Sequence, residues 1–318
     1  MSAGNHAQAL ALAARTRGIP AYIVMPTIST PSKIAATKGY GAEVIFSGST
    51  SEEREAVVED VMKRTGAILV PPYDHPDIIL GQGTMALEFE DQVREMVEKQ
   101  PYLSVRRPQN ADTTTDGEAN GMKNGHFSRL KAGKIDAVVA PCGGGGMLSG
   151  IATALHGTGT YVFGAEPSFQ GADDAKRGLA THKRIESVKT LTIADGLRTP
   201  VGEIPWSVIS DTGKVRGVYA VSEEQIKAAM RLVLERMKVF VEPSAVVGLA
   251  VVLYDEGFRK MVEREGGVEG WDVGVVLSGG NTTVEAIAKL FEVEESRAER
   301  QEGKVGMMGE RVAENVAG

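Results

Sequence analysis

The residues able to do chemistry sit where glycine and small polar side chains follow short apolar runs. Asp136-Ala-Val-Val-Ala-Pro-Cys-Gly-Gly-Gly-Gly-Met-Leu-Ser-Gly150 passes from a buried-strand run, Ala137 to Ala140, into four consecutive glycines. A helix is expected next, over Met147 to Leu155. Glycine loses more backbone entropy on folding than any other residue, so four in a row need a reason. Strand, bare loop and helix start together offer main-chain N–H groups and the positive end of a helix dipole, which is an anion site. The loop therefore reads as a phosphate cradle. It has neither the Gly-Lys-Ser/Thr of a Walker loop nor the acidic residue of a dinucleotide fingerprint. The competing reading is a glycine turn kept only for close packing.

Two further clusters have the same character: Ser2-Ala-Gly-Asn-His6 and Ser278-Gly-Gly-Asn281. At strand ends and helix starts of a parallel α/β sheet, such clusters converge on one crevice. A phosphate cradle, a hydroxyl after a core strand and an asparagine at a helix start suit a flat phosphorylated cofactor. The other reactive residues read as structural. Cys142 beside the loop fits a small buried hydrophobe. His75 fits a structural role in a rigid connector, and His126, His156 and His182 carry no partner pattern. No Ser–His–Asp spacing and no zinc-type cluster is present.

The elements that position these clusters follow from periodicity. A helix is expected from about His6 to Arg17, capped by Asn5 or Ser2 and ended by Gly18; strand Ala21–Met25, helix Ser32–Lys38 and strand Ala42–Phe46 follow. A third helix starts at Ser51 with Val57, Val58, Val61 and Met62 on one face, and Gly66 stops it before an expected strand, Ala67–Val70. Helix and strand repeated three times point to a small parallel α/β unit. Pro71-Pro-Tyr-Asp-His-Pro76 is a rigid connector and the expected boundary: 1–72 form a small α/β domain, 73–292 a large one, 293–318 a charged tail. Thr84–Glu98 reads as a helix with Met85, Phe89, Val93 and Met96 on one side, and 100–134 as a solvated, disordered insertion. Strand Thr160–Gly164, an acidic turn from Glu166 to Asp174, and a helix from Ser222 to Lys238 come next. That helix opens on a Ser222/Gln225 capping box, with Ile226, Met230, Val233 and Met237 inward. A helix opened by Glu242-Pro-Ser244 and a core strand Val273–Leu277 complete the pattern.

With 318 residues the chain has room for two domains, and a formal charge of -7 without any basic run argues against nucleic acid and anionic membranes as partners. Its apolar runs are too short to span a bilayer. A single cysteine excludes an internal disulfide framework and fits a reducing compartment. The polar start after Met1 shows no secretory signal, so the cytoplasm is the expected location.

Taken in order, S-x-G-N-H-A-Q, P-P-Y-D-H-P-D-x-I-x-G-Q-G-T, P-x-G-G-G-G-[LM]-L-S-G, T-I-A-D-G, E-R-M-K, E-P-[ST] and S-G-G-N resemble the serine/threonine dehydratase and serine racemase family. These are fold-type II pyridoxal-phosphate enzymes of the tryptophan-synthase β fold. The resemblance covers residues 2 to 290 outside the insertion, and implies two α/β domains with parallel or mixed twisted sheets flanked by helices. It implies pyridoxal 5'-phosphate as cofactor, its phosphate held by Gly143, Gly144, Gly145, Gly146 and the Met147 amide. Asn5 would bond the ring hydroxyl, and Tyr73 would lie close to the cofactor. Ser278 would face the pyridine nitrogen, where a neutral hydroxyl favours elimination over transamination. Ser2, Ala3, Gly4, Asn5 and His6 would line the substrate pocket. Glu166, the Ala172 carbonyl and Asp174 would hold Mg²⁺ or Ca²⁺. The turn is two residues longer than the family spacing, which leaves Asp173 as the alternative ligand, and a merely solvated acidic turn competes. Gln8, Lys33, Tyr40, Lys238 and Asn281 match positions that bind a nucleotide effector such as ATP between subunits of a homodimer.

Two departures shape the expected function. Position 3 is Ala3, where racemases place a serine that protonates the second face, and racemisation needs an acid/base group on each face. The resemblance therefore implies dehydration of L-serine, L-threonine or 3-hydroxyaspartate to a 2-oxo acid and ammonia, with serine racemase as the alternative. The family's Schiff-base lysine sits in S-F-K-x-R-G-A upstream of S-x-G-N-H, and no Ser-Phe-Lys occurs here. The expectation is a truncated chain, inactive as it stands, or a non-catalytic pseudoenzyme.

Overall fold

The structure is a computed structural model that describes residues 4–100, 135–267 and 270–292. Ser2, Ala3, His126, nearly all of the expected insertion and the charged tail fall outside them. The described residues form two compact units that divide at Gly279/Gly280.

The first unit opens with a βα repeat. Helix α1 (Asn5–Thr16) leads to strand β1 (Tyr22–Pro26), helix α2 (Pro31–Gly39), strand β2 (Glu43–Ser47) and helix α3 (Ser51–Thr65). β1 and β2 are parallel, Ile23 opposite Val44. Ala7 and Ala11 of α1 close over Ile23 and Met25, small residues that let the helix lie near the sheet. A Thr50/Glu53 capping box starts α3, and Gly66 ends it at φ 70, a left-handed turn that glycine adopts without strain.

Ala67–Val70 departs from the expectation of a strand. It pairs with no strand among the described residues, and Ile68 and Leu69 are exposed. Its apolar composition favours an extended chain, but a strand needs a partner edge, and a cavity of about 550 Å³ separates it from β1.

Helix α4 (Pro76–Lys99) begins eight residues before the expected Thr84. Pro76 at its first position and the His75 Nδ1 that accepts from Asp77 N–H account for the earlier start. Met85, Phe89 and Val93 pack on the core, whereas Met96 is exposed. Strand β3 (Ala137–Pro141), helix α5 (Gly146–Ala154), strand β4 (Tyr161–Pro167), helices α6 (Asp174–Thr181) and α7 (Glu203–Ile209), and strand β5 (Gly217–Val221) follow. Then come helices α8 (Glu223–Leu232), α9 (Val247–Tyr254) and α10 (Glu256–Gly266) and strand β6 (Val273–Val275). The four strands form one parallel sheet in the order β5-β4-β3-β6. β3 is buried along its whole length, as a strand covered on both faces must be.

The Ser222/Gln225 capping box is present. The helix it starts does not run regularly to Lys238: Val233–Met237 form a π-turn and Lys238 stops it in a left-handed conformation. The wider turn carries Met237 off the inward face, so it is 56% exposed while Val233 is buried. The expected strand to Leu277 ends at Val275, and the helix after Glu242 opens with a 3-10 turn, Pro243–Val246. β5, α6, α7 and α10 were not legible in the periodicity. The second unit contributes a helix over 284–292.

Candidate functional site

The glycine loop is built where β3 runs out. Cys142 N–H donates to the Ala165 carbonyl at 2.8 Å, which ties the turn to β4. Gly145 then caps α5 at φ 84 with no side-chain acceptor. A Cβ at Gly143 would lie 3.0 Å from Leu197 Cα, at Gly144 2.3 Å from Tyr73 Cγ, at Gly145 2.8 Å from Pro205 Cβ, and at Gly146 2.9 Å from Tyr73 Cβ. Close packing thus demands all four glycines. The loop also leaves its main-chain donors open. Among the described residues, no protein group accepts a hydrogen bond from the amides of Gly143, Gly144, Gly145, Gly146 or Met147. Buried main-chain donors are almost always paired. Five uncommitted ones at the positive end of a nine-residue helix fit a phosphate. Cys142 is buried, and burial, with Glu166 and Asp174 behind it, pushes its thiol well up, so it is no nucleophile.

The Asn5 cluster meets the Ser278 cluster. Asn5 Nδ2 donates to Glu242 Oε1 at 2.6 Å, and a Cβ on Gly279 would be 2.9 Å from both atoms. Glu242 N–H donates to the Gly279 carbonyl, and two residues on, Ser244 Oγ accepts from Gly196 N–H at 3.0 Å. Gly196 in turn packs on Gly143. This relay through Glu242, Ser244 and Gly196 links Asn5, the glycine loop and Gly279, with Ser278 half-buried beside Gly279. His6 Nε2 lies 3.3 Å from the Val70 carbonyl, and burial lowers its pKa below the usual imidazole value. Tyr73 spans Gly144 and Gly146; burial first, then Asp74 and Asp174, raise its phenol above the ordinary value. The neighbouring Asp74 caps α7, accepting from Glu203 and Ile204 N–H at 3.0 and 2.9 Å.

Sequence reasoning gave no role to Glu242, Ser244, Asp74 or Asp195. E-P-S and T-I-A-D-G were visible as motifs, but only contacts between distant segments reveal what their residues hold.

Glu166, in β4, is fully buried; its Oε1 and Oε2 accept from Ala175 and Lys176 N–H at 2.9 and 3.0 Å. Asp174 is buried too, its Oδ2 accepting from Val201 N–H at 3.0 Å. Burial and then the Asp174 charge hold Glu166 well above the carboxylate range, and burial chiefly lifts Asp174 to about 6. Asp173 instead pairs with Arg177 Nε at 2.9 Å. Of the two candidate aspartates, Asp174 is therefore the one beside Glu166. Ala172 is buried at the intervening turn. No cluster of three His, Cys, Asp or Glu that could hold a metal occurs among the described residues.

Of the expected nucleotide positions, Gln8, Lys33, Tyr40 and Lys238 lie in the first unit. Lys33 is committed to Asp195 Oδ2 at 2.7 Å. Gln8 has a buried Nε2 without a partner among the described residues, Tyr40 is 37% exposed, and Lys238 donates to the Glu235 carbonyl. Asn281 belongs to the second unit. His75 is the α4 cap, and His182 ends α6 in a left-handed conformation. No helix among the described residues is long and apolar enough to cross a membrane.

A glycine cradle with free amides, set after the β3 strand of a parallel sheet, defines a phosphate-cofactor protein of the α/β class. Residues 1–101 and 124–279 match the family described as pyridoxal-phosphate dependent enzyme, and the chain belongs to that family, in its fold-type II branch. It is 36% identical over 282 residues to a serine racemase of Oryza sativa subsp. indica, covering 88% of this chain and 69% of the relative. It is 34% identical to the L-threo-3-hydroxyaspartate ammonia-lyase of Saccharomyces cerevisiae over 91% of this chain and 74% of that one. The solved structure of maize serine racemase superposes with a TM-score of 0.71 at 34% identity, covering 95% of this chain and 77% of that one. The residues present fit pyridoxal phosphate, the cofactor of the family.

Proposed function

We propose that this chain carries the cofactor- and substrate-binding surface of a pyridoxal-phosphate-dependent ammonia-lyase acting on L-serine, L-threonine or 3-hydroxyaspartate. The five uncommitted amides from Gly143 to Met147 support it most directly. They would take the phosphate. Asn5, its amide held by Glu242, would offer its second N–H to the ring hydroxyl. Ser278 would meet the pyridine nitrogen as a neutral hydroxyl, while Ser2, Ala3, Gly4 and a neutral His6 would line the substrate carboxylate. Pyridoxal phosphate, when bound, supplies the electron sink for loss of the α-proton and β-hydroxyl. The reading takes 1–72 and 73–292 as the two domains between which the substrate lies, in a homodimer. It also takes Glu166, the Ala172 carbonyl and Asp174 as a Mg²⁺ or Ca²⁺ site, since a dication would relieve two buried carboxylates that otherwise repel. A nucleotide effector would have to draw Lys33 away from Asp195.

Racemisation of serine is the second reading, favoured by the name of the rice relative. Ala3 speaks against it, because a methyl group returns no proton to the second face. The Ser-Phe-Lys motif does not occur in these residues, so a third reading is a protein that binds the cofactor without turnover.

The test is equilibrium dialysis of the purified full-length native protein with pyridoxal phosphate, inorganic phosphate competing. L-threonine and L-serine are then added, with 2-oxo acid and D-serine both measured. Retention of the cofactor, competition by phosphate and an excess of 2-oxo acid over D-serine are expected. Dominant D-serine would establish the racemase, binding without product the pseudoenzyme, and no retention would overturn the cradle.

A further inference from the structure

Lys33 lies in the first turn of α2, beside β1 and β2, and Asp195 opens a short 3-10 turn, Asp195–Leu197, between β4 and β5 of the other sheet. Their ion pair, 2.7 Å long, joins the two sheets of the first unit, and the two side chains keep 22% and 40% of their exposure. Exposed pairs usually hold little, because two mobile side chains must be ordered for a screened attraction. Here one partner is ordered already. Glu223, the first residue of α8, accepts from Thr192 Oγ1 at 2.6 Å and from Ile193 N–H at 2.8 Å. Arg198 Nε and Nη2 donate to the Thr192 carbonyl at 3.0 and 2.7 Å, and Gly196 N–H donates to Ser244 Oγ. The same loop rests on the cradle: a Cβ at Gly143 would lie 3.0 Å from the Gly196 carbonyl oxygen. The Lys33 end is also fixed. Ile34 packs on the cluster of Ala7, Ala11, Ile23 and Met25, which ties α2 to the helix that begins with Asn5 and His6.

We propose that the Lys33–Asp195 pair is an electrostatic strap, set from Glu223, that holds α1 and α2, and with them Asn5 and His6, against the loop that packs on the glycine cradle. Asp195 is then a positioning residue that acts through Lys33, and Glu223 is one that acts through Asp195. The anchors fix the order of dependence. Glu223, Arg198 and Ser244 hold the loop without help from Lys33, so loss of Lys33 frees α1 and α2 and leaves the loop in place. Loss of Glu223 frees the loop and, with it, the strap. The charge matters beyond the hydrogen bond, since a charge-assisted bond is about twice as strong as a neutral one. The strap stands on these contacts alone; its consequence, a cofactor held between Asn5 and the glycines, rests on the pyridoxal-phosphate reading.

The experiment is amide hydrogen exchange on the full-length native protein, read at Gln8, Ile34 and Gly196, whose N–H groups donate to the Gly4 carbonyl, the Thr30 carbonyl and Ser244 Oγ. Lys33→Gln, which loses the charge and keeps a donor, should speed exchange at Gln8 and Ile34 by at least about threefold and leave Gly196 unchanged. Lys33→Arg should restore the parent rates. Asp195→Asn should match Lys33→Gln, and the two together should be no faster than either alone. Glu223→Ala should speed all three amides. Unchanged rates at Gln8 and Ile34 in Lys33→Gln would overturn the strap, as would failure of Lys33→Arg to restore them or additive effects in the double variant. A faster Gly196 in Lys33→Gln would overturn the order of dependence. Dialysis with pyridoxal phosphate then tests the consequence: Lys33→Gln should retain it at least about threefold more weakly than the parent, and equal retention would overturn the link to the cradle. A parent that retains none would remove the cofactor reading, while the exchange rates still decide the strap.

Discussion

The contact of Tyr73 with the glycine loop can be tested quantitatively. Gly144→Ala places a Cβ 2.3, 2.4 and 2.6 Å from Tyr73 Cγ, Cδ1 and Cδ2. Ordinary carbon contacts begin near 3.5 Å, so the ring must retreat by about 1 Å. Overpacking of this size costs about 1–3 kcal/mol. The backbone itself does not object, because Gly144 is not among the positive-φ glycines. With the ring removed by Tyr73→Ala, the same Gly144→Ala change should be neutral or stabilise by about 0.4–1 kcal/mol through the unfolded chain. Urea unfolding of the four proteins should therefore give a coupling of about 2 kcal/mol. An equal cost of Gly144→Ala in both backgrounds would refute the reasoning, for Tyr73 would then not rest on the loop.

Gly145→Ala should cost more, about 2–4 kcal/mol in thermal unfolding, whether or not Tyr73 is present; it combines φ 84 with contacts of 2.8 Å to Pro205 and 2.9 Å to Ile209. Gly150→Ala meets main chain on both sides, 2.4 Å from the Ile79 carbonyl and 2.6 Å from Gly83 N. It should part α4 from α5 and lower the melting temperature more than Gly144→Ala does. In divalent-free buffer, stability should fall as pH rises from the ordinary 3.8 of an aspartate to the about 6 of Asp174. A carboxyl whose folded pKa is raised favours the folded state only while protonated, and the loss should be up to about 3 kcal/mol, less where solvent screens it. Asp174→Asn should flatten that fall and Ca²⁺ should reverse it in the parent chain; an unchanged slope in Asp174→Asn would remove Asp174 from the explanation. Ser222→Ala should cost about 1 kcal/mol by urea unfolding, the usual worth of a helix cap.

The sequence alone determined what is local. The 3.6- and 2-residue periods placed α1, β1, α2, β2, α3, β3 and the start of α8, because each such element buries a stripe that its own residues define. The four glycines announced the bare loop, since no other residue fits it against a ring, a proline and main chain. Tertiary structure decided whatever required a neighbour. Ala67–Val70 has a strand's composition and, among the described residues, no strand's partner. Met237 has a core residue's side chain, but a π-turn carries it into solvent. Glu242 acquires its role from Asn5, 237 positions away, and Asp74 from an α7 that begins 129 residues later. Asp173 and Asp174 are adjacent and chemically identical; only the fold sends one to Arg177 and buries the other near Glu166. Propensity and pattern act over a few residues, whereas pairing, burial and charge coupling act through space, and the site depends on the second kind.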